Sequence, residues 1–286
     1  MSLYRTFRTE VEINAQYDPT IGLDRQAIMS HYADQSAATL VALGLPRTER
    51  FGPTRAEYLD IFPAAQPQAP VHVFLHGGYW RAGSSADYAL VARQLVGHGI
   101  TVVVVNYALC PVVALGEIVR QCRAALAWVY QQADSFGGDP ERITVSGHSA
   151  GGHLSAMMLA TDWAGDYGLP ADLVKGIVAI SGLFDLRPFP HSWLQPSLYL
   201  TSRDVERYSP QFLPVLNRAP VRLRVGALES SEFHRQSKDY LTVLLERGID
   251  ADYLPLPEVD HFGVLDYFFA EGGQLVRDVL GFYNQR

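Results

Sequence analysis

Cysteine is scarce in this 286-residue chain: only Cys110 and Cys122 occur, both among apolar neighbours, which excludes a disulfide framework and suggests buried thiols in a reducing compartment. Basic charge is also in short supply. Lysine and arginine number 23 against 30 aspartates and glutamates, for a net charge of -7, so neither nucleic acid nor an anionic membrane is an expected partner. No apolar run reaches membrane-spanning length. The opening "MSLYRTFRTEVEINAQYDP" is too polar for a signal peptide, and a cytoplasmic location is expected. Repeats and low-complexity tracts are missing, as is any H-x-x-x-H or clustered cysteine spacing, so no metal and no cofactor is expected. What is left, 48% apolar and 19% charged, is the composition of an ordinary globular protein. The length allows one domain or two small ones.

Along the chain, strand-like and helix-like patterns alternate, which favours one domain spanning 1–286. Residues 23–43 carry Ile28, Tyr32, Leu40 and Leu43 at helical spacing and end at Gly44 with Pro46 beyond, predicting an N-terminal helical segment over about 20–45. Short strands are predicted at 56–62 and 71–77, a helix at 86–99, and a strand at 101–107 whose "TVVVVNY" suits burial on both faces. A helix at 116–137 and a strand at 142–147 follow. Further on come strands at 174–182, 221–227 and 251–257, a helix at 232–249 and a closing helical region at 262–283. Residues 183–215 lose all periodicity and hold five prolines, reading as an irregular or partly helical, cap-like insertion. The alternation implies a mostly parallel central sheet of about eight strands with helices on both faces.

The stretch "ITVSGHSAGGHLSAMML" (143–159) joins a β-branched strand to an apolar helix at one serine. Gly147 and Gly151 flank Ser149 as G-x-S-x-G, the elbow that exposes a serine Oγ above a sheet. Alone, this could be a glycine-rich connector. Its context argues otherwise, because sites in open α/β sheets form beyond the carboxyl ends of strands, where His76-Gly77-Gly78-Tyr79-Trp80, Glu229 and Asp260-His261 also fall. Serine needs a base, and the base needs a third group to fix its tautomer. Of nine histidines, His261 alone follows the final strand in a loop and is the expected base. His76 and His153 are read as orienting loops through hydrogen bonds, and His148 as the variable position of the elbow. Glu229 is the preferred acid from placement and chain order, with Glu232 and Asp185 as alternatives; Asp260 is adjacent to His261 and poorly placed to hold its ring. The glycines of "HGGYW" allow backbone N–H groups to face the site, so Gly78, Tyr79 and Ala150 are the expected oxyanion donors.

These residues resemble the arylformamidases (kynurenine formamidases), α/β-hydrolases of the hormone-sensitive-lipase-like group. "LHGGYW" is similar to that family's HGGxW motif, "SGHSAGGHL" to its elbow, "GALESSEFHRQS" to its acid segment and "DHFGVLD" to its histidine loop. Likeness extends to "AQYDP" and "RFGPTRAEYLDIFPA". One departure is notable: the family usually has aspartate at the position of Glu229, so a shifted loop must absorb the longer reach. The resemblance implies an α/β-hydrolase fold and a serine hydrolase that removes a formyl group from an aryl formamide such as N-formylkynurenine through an acyl-serine; a carboxylesterase acting on short-chain esters is the alternative. Tyr79, Trp80, Phe184, Trp193 and Tyr199 are the expected aromatic contacts for the substrate ring. A homodimer is compatible with the sequence.

Overall fold

The computed structural model describes residues 2–284. Eight strands form one sheet: β1 (Arg47–Arg50), β2 (Tyr58–Phe62), β3 (Ala69–Leu75), β4 (Thr101–Val105), β5 (Gly138–His148), β6 (Val174–Ile180), β7 (Val221–Gly226) and β8 (Ala251–Leu256), in the order β1-β2-β4-β3-β5-β6-β7-β8. Strands β3 to β8 run parallel, whereas β2 pairs antiparallel with β4 and β1 antiparallel with β2. The edges are blunted. At one lies "RTER", largely exposed and charged, and at the other a strand carrying Pro255, both of which disfavour further strand addition.

Every residue of β4 is buried, and the pleat divides its valines between two cores. Val103 and Val105 face the core built with α4 (Leu115–Gln132), α5 (Ala150–Leu159) and α9 (Ser231–Glu246). Val102 and Val104 face the core built with α11 (Gln274–Asn284) and the segment before it. Each fully buried valine contributes roughly 1.5–3 kcal/mol, and the one polar residue of the strand, Thr101, is buried with its hydroxyl accepting from the Ala64 amide.

The clearest departures from the predicted pattern are β1, which it lacked, the helix at 10–17 and the 86–99 segment. Glu10–Tyr17 forms a helix, α1, closed by a capping box in which Thr9 and Glu12 exchange side-chain and backbone hydrogen bonds. The predicted helix at 86–99 is split into a 3₁₀ stretch, Ser85–Val91, kinked at Tyr88, and a short α3 (Ala92–Gly97); residues 88–92 are buried all round, so packing rather than one-sided periodicity sets their geometry. The 183–215 segment contains 3₁₀ turns at Phe189–His191 and Pro210–Phe212 and the short helices α7 (Gln195–Leu198) and α8 (Ser202–Tyr208). The remaining helices are α2 (Arg25–Leu43), ended by Gly44 at φ 83°, α6 (Trp163–Tyr167) and α10 (Asp266–Phe269). Among the described residues no helix is long and apolar enough to cross a membrane, and both cysteines are buried free thiols.

Candidate active site

Strand β5 delivers Ser149 into a turn that most sequences could not make. Its backbone sits at φ 57°, ψ −117°, a strained conformation for a residue with a side chain. Two glycines make the turn sterically possible. A Cβ on Gly147 would lie 2.2 Å from the Gly151 carbonyl oxygen, and one on Gly151 would lie 1.9 Å from that of Leu75. The turn is pinned by hydrogen bonds from the Ser149 amide to the Ile180 carbonyl (2.7 Å) and from the His153 amide to the Ser149 carbonyl (3.1 Å).

His261 and Glu229 come from the loops after β8 and β7. Their side chains are almost fully buried and meet at 2.6 Å, His261 Nδ1 to Glu229 Oε2. The other carboxylate oxygen accepts from the Gly226 amide (2.7 Å) and the Ser181 hydroxyl (2.5 Å). Three donors therefore fix one carboxylate, which leaves His261 Nε2 as the free ring nitrogen. Glu229 sits in a tight turn, its N–H donating to the Gly226 carbonyl at 3.1 Å. Gly226 is needed there, since a Cβ would lie 2.5 Å from the Asp260 carbonyl oxygen. Asp260 itself accepts from the Phe262 and Gly263 amides, and Tyr32 of α2 donates to the Phe262 carbonyl (2.9 Å). The N-terminal helix thus tethers the histidine loop.

The rival acids are engaged elsewhere. Glu232 accepts from Tyr17 (2.8 Å) and Arg235 (2.8 Å), and Asp185 from Tyr4 (2.8 Å) and Arg187. Neither hydrogen-bonds to His261.

After β3 the chain makes three successive residues of positive φ, Gly78 (110°), Tyr79 (50°) and Trp80 (57°). Only glycine fits at the first, where a Cβ would lie 2.1 Å from the Ala82 carbonyl oxygen. Such runs turn consecutive amides toward one point and form anion-binding concavities. Among the described residues the amides of Gly78, Tyr79 and Ala150 donate to no protein acceptor, whereas the following amides of Arg81 and Ala82 return to the Gly78 carbonyl at 3.0 Å.

Side chains hold this strained loop from below. Trp80 is fully buried and donates from Nε1 to His153 Nδ1 (3.2 Å), whose Nε2 is 2.7 Å from the Tyr208 carbonyl. His76 stacks on Tyr107 with ring centroids 4.0 Å apart, while its Nδ1 meets the Gly77 carbonyl at 2.7 Å. Burial lowers the pKa of both histidines to about 4, so they act as neutral hydrogen-bonding groups. Tyr79 donates its hydroxyl to the Tyr17 carbonyl.

Ser149, His261, His148, Gly78 and Tyr79 line one cleft of about 340 Å³. Of the five aromatics expected on its wall, Tyr79 and Trp193 are there, their rings edge-on at 5.8 Å. The other three are not. Trp80 is the anchor just described; Phe184 is buried against Tyr240 with centroids 4.4 Å apart; Tyr199 is 70% exposed and borders a separate recess with Pro111 and Leu115. Asp18, Pro19, Thr20 and Arg25 of the N-terminal segment and Arg81 after the oxyanion loop also line the cleft, none of which the sequence reading singled out. Arg81 lies over the Trp193 ring, 5.3 Å from its centroid, and makes no salt bridge among the described residues. No group of three or more histidine, cysteine or acidic side chains among the described residues is arranged to hold a metal.

Residues 72–261 match the family described as having the α/β hydrolase fold. The kynurenine formamidase of Salmo salar is 31% identical over 89% of this chain and 90% of its own length, and that of Danio rerio 29% identical over 94% of each. An esterase of known structure from Pyrobaculum calidifontis superposes with a TM-score of 0.72 at 22% identity, over 96% of this chain and 99% of that one.

Proposed function

The chain belongs to the α/β-hydrolase fold family and, within it, to the kynurenine formamidases, and from this premise we propose that it hydrolyses aryl formamides such as N-formylkynurenine through a formyl-serine intermediate. The observation that carries this reading is that Ser149, His261 paired with Glu229, and the unengaged amides of Gly78 and Tyr79 share one cleft, with the Ala150 amide directly after the nucleophile. Ser149 Oγ attacks the formyl carbon while His261 Nε2 takes its proton. Negative charge develops on the carbonyl oxygen, where the Gly78, Tyr79 and Ala150 amides receive it. Glu229 keeps the proton on Nδ1 and stabilises the imidazolium. The C–N bond then breaks as His261 returns the proton to the aniline nitrogen. Water, deprotonated by His261, attacks the formyl-serine and releases formate. Tyr79 and Trp193 offer the aromatic ring edges and faces, and the unpaired guanidinium of Arg81 suits a substrate carboxylate.

Two buried free thiols fit a cytoplasmic location, and hydrolysis of N-formylkynurenine fits a place in tryptophan catabolism. The test is kcat/KM for formyl, acetyl, butyryl and octanoyl derivatives of one aromatic leaving group, with N-formylkynurenine alongside. Formyl should be fastest, because each added methylene beyond a confining wall loses roughly 1–3 kcal/mol of transition-state binding. A maximum at butyryl or beyond rejects the formamidase reading in favour of a carboxylesterase.

A further inference from the structure

His148 immediately precedes the nucleophile and is only 2% exposed. Its Nε2 lies 2.7 Å from the carbonyl oxygen of His261. A carbonyl can only accept, so Nε2 carries the ring proton and Nδ1 presents a lone pair. That lone pair is buried and meets no donor among the described residues, an arrangement that native interiors rarely leave without a purpose. Burial, assisted by the His261 ring 4.7 Å away, holds the imidazole well below its ordinary pKa, which keeps it neutral and accepting. Nδ1 is also close to the nucleophile. His148 lines the cleft with Ser149 and His261, and a Cβ built on Gly77 would lie 3.2 Å from Nδ1 and 3.4 Å from Ser149 Cβ.

Esters and formamides differ at the leaving atom. When Ser149 Oγ adds to a formamide carbon, the nitrogen becomes pyramidal, and its lone pair must turn toward His261 Nε2–H to receive the proton that frees it. The nitrogen's own N–H then points elsewhere, and a donor left unpaired once the substrate fills the cleft is costly. An ester oxygen has no such hydrogen. We propose that His148 Nδ1 accepts the hydrogen bond of the scissile formamide N–H, which makes His148 the residue that favours formamides over esters. This rests on the formamide reading of the site. It adds no covalent step: the formed bond is still Ser149 Oγ to carbon, the broken one carbon to nitrogen.

Two substitutions separate the acceptor from the tether. His148→Gln places an amide N–H near the Nε2 position, where it can still hold the His261 carbonyl, and removes the acceptor near Nδ1. His148→Asn does the reverse. The measurement is kcat/KM for formanilide relative to phenyl formate, with spontaneous hydrolysis subtracted and folding verified by circular dichroism. In His148→Gln the amide-to-ester ratio should fall by about tenfold or more, and His148→Asn should return it toward the wild-type value. A ratio that does not move in His148→Gln, or falls equally in both variants, overturns the role of Nδ1 while leaving the formamidase reading intact. A wild-type enzyme that turns over phenyl formate but not formanilide overturns both. Should His148→Gln not fold, wild-type enzyme gives a second reading: formanilide should outpace N-methylformanilide, which lacks the N–H, and equal rates overturn the proposal.

Discussion

Replacing Glu229 by glutamine changes one oxygen to an amide, and the surroundings dictate how that amide must sit. In the wild type one oxygen receives the Gly226 N–H and the Ser181 hydroxyl, and the other receives His261 Nδ1–H. A glutamine that kept its oxygen toward His261 would press its NH₂ against the Gly226 N–H, two donors facing each other in a site where the side chain is 1% exposed. Leaving a buried donor unsatisfied costs about 1–3 kcal/mol. The opposite orientation satisfies Gly226 and Ser181 and offers NH₂ to His261, which then accepts at Nδ1 and holds its proton on Nε2. That tautomer cannot take a proton from Ser149. The expected loss in kcat is roughly 10⁴-fold, about 5 kcal/mol of transition-state stabilisation, with KM little changed because imidazolium exists only as charge develops. Steady-state hydrolysis of N-formylkynurenine measures it, and thermal unfolding verifies the fold. Glu232→Gln and Asp185→Asn serve as controls whose main effect should be on stability. A folded Glu229→Gln enzyme within about tenfold of wild-type kcat, or a control that loses as much, refutes the reasoning.

Ser149→Ala should lower kcat by roughly 10⁶-fold without loss of fold, since the remaining groups act only through binding and oxyanion contacts; near-wild-type turnover by purified, folded variant rules out the acyl-serine route. Arg81→Ala should raise KM for N-formylkynurenine by about tenfold, the loss of a charge-assisted hydrogen bond of roughly 1.5 kcal/mol, and leave formanilide, which has no carboxylate, much less affected; equal effects on both remove the carboxylate role. Burial lowers His72 to about 3 and His76 and His153 to about 4. The unfolded chain therefore binds more protons below about pH 6.5, and stability should decline as pH falls from there toward 4, by about 1.4 kcal/mol per pH unit for each of these histidines. Calorimetric melting between pH 7 and 4.5 tests this, and a flat melting temperature across that range contradicts it.

The elbow and the oxyanion loop are legible in sequence because their constraints are local. Gly147, Gly151 and Gly78 are required by backbone atoms a few residues away or on the adjoining strand, so the spacing itself carries the geometry. The buried strands are legible for a similar reason, a β-branched run such as Thr101–Val105 having nowhere to go but the centre of a sheet. The cleft walls obey no such rule. Trp80, Phe184 and Tyr199 share the chemistry of Trp193, yet one anchors a histidine, one fills a core and one faces solvent. Nothing in the spacing of these aromatics separates the four. Arg81 directly follows "HGGYW", and that adjacency was the available sign of its place.

The same ambiguity governs the carboxylates, and there the structure gives it a physical resolution. Asp185, Glu229 and Glu232 all stand just beyond strands of the parallel half, each buried, and a buried carboxylate must find donors wherever it is. What differs is which donors the chain brings. Asp185 and Glu232 receive Tyr4 and Tyr17 from the N-terminal segment together with Arg187 and Arg235, cations that satisfy them permanently. Tyr17 also offers its backbone carbonyl to Tyr79, so these ion pairs fix the oxyanion loop against α1 and place Asp18 and Thr20 on the cleft. Glu229 receives no cation, only neutral donors and an imidazole. A carboxylate left without a resident positive charge is the one able to stabilise a positive charge that appears and disappears, and that difference, set by arginines two and three positions along the chain from Asp185 and Glu232, decides which of three chemically similar side chains can serve His261.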